Sequence, residues 1–334
     1  MSSKSVTEKL NTQHNQVWSG RDDLEDGDRR WRIHHIIEQV DTLSSFTDCV
    51  QLLGFETDEG VRRNKGRTGA NAAPDIIRAA LSNLAWHEST KLVDLGNTAT
   101  IANDLENSQL ATAKMVESAL ANGPVVVLGG GHEIAWPSFL GLSNHLKNAQ
   151  SAPRIGIVNF DAHFDLREYK SDVTELKPSS GTPFSQIADH CLAESLPFEY
   201  FCIGISATSN TQALFDKAKR LNVQYIQDTE LLSTPLDVQL DKLVAFMERV
   251  DYLYLTIDLD VFNAALAPGV SAPAAFGVSL EHFYPLFTAI LQQQKLKLAD
   301  IAEYNPTFDI DNRTAKLAAR LCWQMMSAMS ESKQ

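Results

Sequence analysis

Short apolar runs alternate with longer segments of mixed polarity from about residue 49 to the end of the chain. Two of the runs, Val125-Val126-Val127-Leu128 and Ile155-Gly156-Ile157-Val158, are almost continuously apolar. Such runs are typical of parallel strands that are buried on both faces of a sheet. The pattern predicts strands at 49–55, 91–95, 124–128, 154–160, 199–205, 223–226, 251–257 and 298–302.

Helices are predicted in the segments between these strands. Pro74 supports the first of them, because proline suits the first turn of a helix. The predicted helices span 74–84, 104–121, 133–148, 209–221, 237–249, 279–293 and 312–330. Regular alternation of strands and helices predicts an α/β protein, a three-layer α/β/α sandwich with a mostly parallel central sheet and right-handed crossovers.

The chain divides into an N-terminal arm and one domain. Residues 1–45 are polar and charged, and we expect them to form an irregular arm packed on the domain. The apolar anchors of this arm would be Trp18, Trp31, Ile36 and Ile37. Because no repeat, low-complexity segment or linker interrupts the remainder of the chain, residues 46–330 are predicted to form a single domain. Residues 326–334 are expected to fray.

Composition argues against several classes of function. The net charge of −13 argues against nucleic acid as the main partner. The four cysteines are far apart and form no CxxC pair, so a disulfide framework is not expected. The N-terminal region has no apolar signal core, and no apolar stretch approaches the roughly 20 residues that span a bilayer. The sequence therefore predicts a cytoplasmic protein without a membrane partner.

Three clusters of acidic residues and histidines come directly after predicted strands. They are Gly129-Gly130-Gly131-His132-Glu133, Asp161-Ala162-His163-Phe164-Asp165 and Asp258-Leu259-Asp260. Ligand sites of open α/β sheets lie outside the carboxyl ends of the strands, so we expect the clusters to meet in space. If the strand at 154–160 continued through the second cluster, Asp161, His163 and Asp165 would project to one face of it.

Together the clusters supply two imidazoles and the carboxylates of four aspartates. Such groups are costly at buried strand ends unless they bind something, and adjacent carboxylates raise one another's pKa unless a cation neutralises them. Carboxylate oxygens with a few imidazoles suit Mn²⁺, and two such cations can generate a hydroxide at neutral pH. The clusters therefore predict a two-metal hydrolytic site. The alternative is a set of ordinary loop and capping carboxylates, and the recurrence of the cluster at three strand ends argues against it.

These motifs resemble those of the ureohydrolase family, which includes arginases, agmatinases and formimidoylglutamases. The resemblance covers nearly all of the chain after about residue 50. It includes Ala267-Pro268-Gly269 behind the third cluster and Glu303-Tyr304-Asn305-Pro306 near the C-terminus. The resemblance implies an arginase-like fold, and it makes residues 46–330 the ureohydrolase catalytic domain. It also implies a homo-oligomer, either a trimer or a hexamer.

The same resemblance implies two Mn²⁺ ions in each subunit and assigns their ligands. The ligands of one ion would be His132, Asp161, Asp165 and Asp258. Those of the other ion would be Asp161, His163, Asp258 and Asp260. Asp161 and Asp258 would then bridge the two ions together with a hydroxide.

Three features favour the formimidoylglutamase branch of this family. Arg167 stands where arginases carry a small polar residue, and a guanidinium can bind a carboxylate through two hydrogen bonds. Ser180 replaces the proton-shuttle histidine of arginases and agmatinases. Segments 17–23 and 67–70 also resemble formimidoylglutamases, which makes Arg67 a further candidate for substrate binding. The alternatives are an exposed salt-bridge residue for Arg167 and a turn residue for Ser180.

The reaction that this resemblance implies is hydrolysis of N-formimidoyl-L-glutamate to L-glutamate and formamide, a step of histidine degradation. The bridging hydroxide would attack the amidinium carbon, and the metal ions would stabilise the resulting tetrahedral intermediate. Glu303 would bind the amidinium nitrogens and so take part in catalysis. Asp165 would accept or relay the proton, and either Asp165 or a water would protonate the leaving nitrogen. Arg167 would supply positive charge for the substrate carboxylates.

Other functions are compatible with the sequence. An agmatinase-like or guanidino-acid ureohydrolase would use the same ligands and release urea. A catalytically silent metal-binding protein would keep the ligands without turnover, but such a protein has no need for both ions and Glu303. A metal-dependent phosphoesterase is disfavoured, because the chain lacks a Gly-Lys-Ser/Thr loop that cradles phosphate.

Overall fold

A nine-stranded parallel sheet forms the centre of the protein. The computed structural model describes residues 17–40, 47–98, 100–101, 103–147, 152–170 and 175–331. The strands are β1 (Ile37–Gln39), β2 (Cys49–Phe55), β3 (Lys91–Thr98), β4 (Val125–Leu128), β5 (Ile155–Phe160), β6 (Glu199–Ile205), β7 (Gln224–Gln227), β8 (Tyr252–Asp258) and β9 (Leu296–Ala302). Their order is β1-β3-β2-β4-β9-β8-β5-β6-β7, and each of these neighbours pairs in parallel.

Helices cover both faces of this sheet. The α-helices are α1 (Ile33–Ile36), α2 (Glu59–Arg63), α3 (Ala73–Ser82), α4 (Leu105–Leu120), α5 (Ala135–Lys147), α6 (Pro183–Ala193), α7 (Gln212–Arg220), α8 (Asp228–Ser233), α9 (Leu236–Glu248), α10 (Leu280–Leu291) and α11 (Arg313–Glu331). Helices α3, α9, α10 and α11 share a first hydrophobic core with one face, and α4 to α7 share a second core with the other. The predicted three-layer sandwich is confirmed. In the described part of the chain, no helix is long and apolar enough to cross a membrane.

The continuous apolar runs arise because both faces of the sheet are buried. In β4, Val126 and Leu128 belong to the first core, whereas Val125 and Val127 belong to the second, and all four are fully buried. Burial of one such side chain contributes roughly 1.5–3 kcal/mol. One short strand therefore stabilises both helical layers.

The eight strands predicted from the sequence are all present, but some other elements were not predicted. These are β1, α1, α2, α6 and α8. Helix α6 has Pro183 in its first turn, the same signal that supported the first predicted helix. The prediction of a frayed terminus is wrong over 326–331, because these residues complete α11 and bury Met326 and Met329.

The part of the predicted arm that the structure describes, residues 17–40, packs against the sheet. The indole of Trp18 donates a hydrogen bond to Oδ2 of Asp94 at 2.7 Å. Ile36 and Ile37 are half-buried against the first core. These contacts hold the arm beside the edge of the sheet.

Two expectations about the arm need correction. Trp31 is 44% exposed, so it does not anchor the arm as expected. The arm is also not wholly irregular, because it contains α1 and the edge strand β1, which pairs with β3. A strand of three residues is too short to give a recognisable alternation of polar and apolar positions. Residues 1–16 and 41–45 lie outside the described residues, and the boundary at 45/46 stays a prediction.

Candidate metal centre

Four motifs that are distant in sequence meet at one edge of the sheet. The central strands β4, β9, β8 and β5 are neighbours in that order. At or just after their carboxyl ends they carry His132, Glu303, Asp258 and Asp161, respectively. Parallel strands place these ends on the same edge, where open α/β sheets bind their ligands. The expected meeting of the three clusters is therefore observed.

The first group of potential ligands surrounds Nδ1 of His132. This atom lies 3.1 Å from Oδ2 of Asp161, 2.9 Å from Oδ2 of Asp165 and 3.2 Å from Oδ2 of Asp258. None of the three contacts has hydrogen-bond geometry, and the buried Nδ1 has no hydrogen-bond partner among the described residues. One nitrogen and three carboxylate oxygens thus converge in the manner of ligands around a cation.

A second group of potential ligands consists of Asp161, His163 and Asp260. Nδ1 of His163 lies 3.0 Å from Oδ2 of Asp260 and 3.5 Å from Oδ1 of Asp161. Asp161 therefore offers one oxygen to each group. Asp258 was expected in both groups. Its Oδ2 lies with the first group, and its share in the second group stays a prediction.

Short turns at the strand ends fix the orientation of two carboxylates. Oδ1 of Asp161 accepts a hydrogen bond from the backbone N–H of His163 at 2.6 Å. Oδ1 of Asp258 accepts one from the N–H of Asp260 at 2.8 Å. The same two-residue turn thus occurs at both strand ends, and in each case it leaves Oδ2 facing His132.

Two site residues have backbone conformations that are unusual for side chains with a Cβ. Strand β5 ends at Phe160, so the second cluster does not continue it and the three side chains do not share one strand face. Instead Asp165 has a φ of 48°, and Glu303, directly after β9, has a φ of 66°. Left-handed conformations of this kind cost of order 1–3 kcal/mol and cluster at functional sites. At these two positions they turn carboxylates towards the site.

Burial and mutual repulsion raise the pKa values of the site carboxyl groups. Burial and the charge of Asp161 raise the pKa of Asp165 to about 6. Burial and Asp260 raise the pKa of Glu303 to about 8. Burial, Asp260 and Asp161 likewise raise the pKa of Asp258 well above its ordinary value. Bound cations would neutralise this excess of negative charge, so the donor set fits divalent metal ions.

The two imidazoles respond to the same excess of negative charge. Burial lowers the pKa of His132, but its three carboxylate neighbours outweigh burial and raise the value well above the ordinary one. The pKa of His163 is raised in the same way, against burial, chiefly by Asp260 and Asp161. Protons on these rings therefore balance part of the charge when no cation does.

A cavity of about 210 Å³ opens beside the two groups. Its wall includes the acidic and histidine residues His163, Asp165, Asp258, Asp260 and Glu303. The same wall includes Asn64, Arg167, Ser180, Ser209 and Asn210. Four of the six predicted metal ligands and both predicted catalytic residues thus line one cavity, together with three of the four predicted substrate-binding residues, Arg167, Ser180 and Glu303.

Arg167 is the basic side chain in this wall. Among the described residues its guanidinium has no hydrogen-bond or ion-pair partner, and the side chain is exposed towards the cavity. A Cβ on Gly181 would lie 2.8 Å from Cδ of Arg167, so glycine permits the close approach of the arginine stem. The structure therefore does not favour the alternative that Arg167 is a surface salt-bridge residue.

Ser180 is buried in the same wall. Its hydroxyl accepts a hydrogen bond from Nδ2 of Asn64 at 3.2 Å. Asn64 caps the end of α2, and it was not predicted as a site residue because it lies within a basic run. Asn210 was also missed, although it supports the second cluster by accepting from the N–H of Phe164 at 3.0 Å.

Arg67, which was predicted to bind the substrate, instead forms hydrogen bonds to the backbone. Its guanidinium donates to the carbonyl oxygens of Ser271 at 2.8 Å and Val270 at 2.7 Å. It also lies 3.8 Å above the ring of Phe308 and is not part of the cavity wall. The structure thus brings Arg167 and Ser180 to the site but not Arg67.

The fold and the site agree with the comparisons with known proteins. A family model described as the arginase family matches residues 49–327. The chain belongs to the arginase family.

Individual relatives and solved structures show which members of this family the chain resembles. The chain is 52% identical over 324 residues to a formimidoylglutamase of Vibrio vulnificus, covering 95% of this chain and 96% of the relative. It is also 52% identical over 327 residues to a formimidoylglutamase of Vibrio cholerae, covering 97% of each. A crystal structure of formimidoylglutamase from Bacillus subtilis matches with a TM-score of 0.78 at 21% identity, over 91% of this chain and 93% of that one. A Trypanosoma cruzi formiminoglutamase structure with Mn²⁺ matches with a TM-score of 0.73 at 23% identity, over 85% and 94%.

Proposed function

We propose that this protein hydrolyses N-formimidoyl-L-glutamate to L-glutamate and formamide. The observation that carries the proposal is the guanidinium of Arg167, which has no partner among the described residues and lies in the same cavity as members of both ligand groups. A substrate with an amidinium at one end and carboxylates at the other matches an acidic centre beside a guanidinium. The relatives named formimidoylglutamase, at 52% identity, support the same substrate.

The donor set fits two divalent cations, and we expect Mn²⁺. The first ion would be held by His132, Asp161, Asp165 and Asp258. The second would be held by Asp161, His163 and Asp260, with Asp258 as the further ligand that the family resemblance implies. When bound, the two ions supply a water whose pKa is lowered towards neutrality.

Glu303 would orient the substrate amidinium. Its Oε1 accepts a hydrogen bond from the backbone N–H of His132 at 3.0 Å, which fixes the carboxylate in the cavity wall. Because burial and Asp260 raise its pKa to about 8, Glu303 needs a nearby positive charge to ionise near neutral pH. An amidinium supplies that charge and gains two hydrogen bonds in return.

Asp165 would handle the proton during the reaction. It faces the cavity, and a carboxylate there can both accept and donate a proton. Water attacks the amidinium carbon while Asp165 accepts one proton. The bond from that carbon to the glutamate nitrogen then breaks as the nitrogen takes this proton. The proton of the remaining hydroxyl group also passes to the nitrogen, so that formamide and the ammonium form of glutamate are left.

Arg167 and Ser180 would bind the carboxylate end of the substrate. The guanidinium can form two charge-assisted hydrogen bonds to one carboxylate. The hydroxyl of Ser180, which accepts from Asn64, keeps its own proton available for an acceptor. Without an imidazole at position 180, proton transfer to the leaving nitrogen falls to Asp165 or a water.

Product analysis with Mn²⁺-loaded enzyme tests the proposal. N-formimidoyl-L-glutamate, arginine, agmatine and 4-guanidinobutyrate are offered separately, and an Asp161→Asn variant serves as a control for contaminating hydrolases. We expect formamide and glutamate from the first compound alone. Urea from any other compound would instead assign the chain to the guanidino branch of the family. Metal binding without any product would support the silent metal-binding alternative.

We further expect a cytoplasmic homo-oligomer, a trimer or a hexamer. The supporting argument is the family resemblance. Light scattering coupled to size-exclusion chromatography gives the mass of the particle, and a mass equal to that of one subunit would contradict the expectation.

A further inference from the structure

A row of buried polar side chains crosses the centre of the sheet directly beneath the metal centre. Asn159 of β5 pairs in register with Thr256 of β8, and Thr256 pairs in register with Asp300 of β9. All three side chains are 0% exposed, in strands that are otherwise mostly apolar. Burial of polar groups is unfavourable unless they form hydrogen bonds, so the presence of three polar side chains at these buried positions requires an explanation.

The residues of the row come two positions before ligand residues along β5 and β8, on the same face of the sheet. Asn159 precedes Asp161 by two residues and Thr256 precedes Asp258 by two, and side chains at i and i+2 of a strand share a face. Tyr254, two residues before Thr256, belongs to the second core, which fixes the face in question. The row therefore lies between the ligands and the part of that core to which Tyr254 belongs.

Two members of the row contact proposed ligands directly. Nε2 of His132 lies 3.0 Å from Oγ1 of Thr256. Since Nδ1 of the same ring faces three carboxylate oxygens, Nε2 is the nitrogen that carries the hydrogen of a coordinating imidazole and donates it to Thr256. Nδ2 of Asn159 donates to Oδ2 of Asp161 at 3.0 Å.

Further contacts hold the row itself in place. When Thr256 accepts from His132, its own hydroxyl hydrogen is free for another acceptor. Oδ1 of Asp300, in register beside it, has no hydrogen-bond partner among the described residues and is therefore available as that acceptor. Tyr254 donates to the second oxygen, Oδ2, of Asp300. At the opposite end of the row, Nδ2 of Asn159 also donates to the hydroxyl of Tyr200 at 2.9 Å. The row is therefore supported by a tyrosine at each end.

We propose that Asn159, Thr256 and Asp300 are positioning residues for the metal centre. Thr256, supported by Asp300, holds the ring of His132 with Nδ1 towards the first ion. Asn159 holds the carboxylate that both ions share. This inference rests on the proposal that the centre binds Mn²⁺, because the row acts only through ligands of that ion. The ring of Phe184 also packs in a T-shaped arrangement with the ring of His132, with centroids 5.4 Å apart.

The test compares Mn²⁺ affinity, measured by titration calorimetry, among Thr256→Val, Thr256→Ser and wild type. Valine has the shape of threonine but cannot accept a hydrogen bond, so we expect roughly 10- to 100-fold weaker binding. Serine restores the hydroxyl and should restore most of the affinity. Thr112→Val is the matched control, because Thr112 is equally buried and hydrogen-bonded to Thr98 and Ser108 but does not contact the site.

Wild-type Mn²⁺ affinity in Thr256→Val would overturn the inference, as would an equal loss in Thr112→Val. If Thr256→Val does not fold, Asn159→Ala provides the same comparison through Asp161, and unchanged affinity there would also overturn it. Failure of the proposed function gives a different result. In that case the wild-type protein binds Mn²⁺, and the variants differ in affinity as expected, but no formamide is released from N-formimidoyl-L-glutamate.

Discussion

The backbone N–H of His132 donates a hydrogen bond to Oε1 of Glu303 at 3.0 Å, although the two residues are 171 positions apart in the chain. The N–H of Glu303 in turn donates to the carbonyl oxygen of Gly130 at 2.8 Å. The first and last site motifs thus fix one another through two hydrogen bonds. One of these bonds uses the carboxylate of Glu303. We propose that this carboxylate binds the substrate, whereas the carboxylates of the aspartates bind the metal ions.

Glu303→Gln is expected to keep Mn²⁺ and to lose most turnover. The amide oxygen can still accept from the His132 N–H, but the negative charge that matches the amidinium is lost. Removal of one such electrostatic contact lowers kcat by about 100-fold or more. The measurements are kcat by formamide release and metal content by atomic absorption. Normal turnover in a metal-loaded variant would exclude the proposed role.

Arg167→Met is expected to raise KM for N-formimidoyl-L-glutamate by about 10- to 100-fold, with unchanged metal content. The loss is expected in binding, because we propose that the guanidinium binds the carboxylate end of the substrate and takes no part in the bond changes. Arg220→Met is a suitable control, since Arg220 is also exposed but is not part of the cavity wall. Steady-state kinetics of the two variants decide the matter, and an equal KM in both would contradict carboxylate binding by Arg167.

Arg67→Met is expected to lower stability more than it affects substrate binding. The variant loses two hydrogen bonds to the carbonyl oxygens of Val270 and Ser271 and the contact with the Phe308 ring. Loss of hydrogen bonds to a charged group lowers the free energy of unfolding by about 1.5–3 kcal/mol. Thermal melting and KM are measured on the same preparation. A KM increase as large as that of Arg167→Met, without a lower Tm, would return Arg67 to the substrate-binding set.

The metal-free protein is expected to lose stability as the pH rises from about 4 to about 8. Ordinary carboxyl groups release their protons near pH 4, whereas Asp165 and Glu303 keep theirs to about 6 and about 8 because of burial and neighbouring carboxylates. The folded state thus binds more protons than the unfolded chain, and stability falls with rising pH over that range. Mn²⁺ takes the place of these protons, so the loaded protein should show a flatter profile. Melting curves with and without Mn²⁺ at several pH values test this, and parallel profiles would contradict it.

Mn²⁺ binding near neutral pH is expected to release protons. Without a cation, the neighbouring carboxylates raise the pKa values of His132 and His163 well above the ordinary value, despite burial. A coordinating imidazole nitrogen must be unprotonated, so binding displaces these protons. Calorimetric titrations in buffers of different ionisation enthalpy measure the number released. A binding enthalpy independent of the buffer would show that the rings are already neutral.

Much of the fold follows from local features of the sequence. The run in β4 is apolar at every position because each residue faces one of two cores, and this pattern distinguishes a central parallel strand from the amino-acid sequence alone. The edge strand β1 was missed because three half-exposed residues carry no such pattern. The short helix α6 was missed although Pro183 marked its first turn.

The sequence by itself determined which residue types could form a metal centre and that they come after strands, because ligand chemistry and strand patterns are local properties. Only the tertiary structure decided how the clusters combine. The strand order β4-β9-β8-β5 brings Asp161 within reach of both histidines, and the left-handed conformations of Asp165 and Glu303 aim their carboxylates at the site. The tertiary structure also separated Arg167, which faces the cavity, from Arg67, which binds the backbone. The direction and partners of an arginine depend on residues far away in the chain, so its type and neighbours in sequence cannot reveal them.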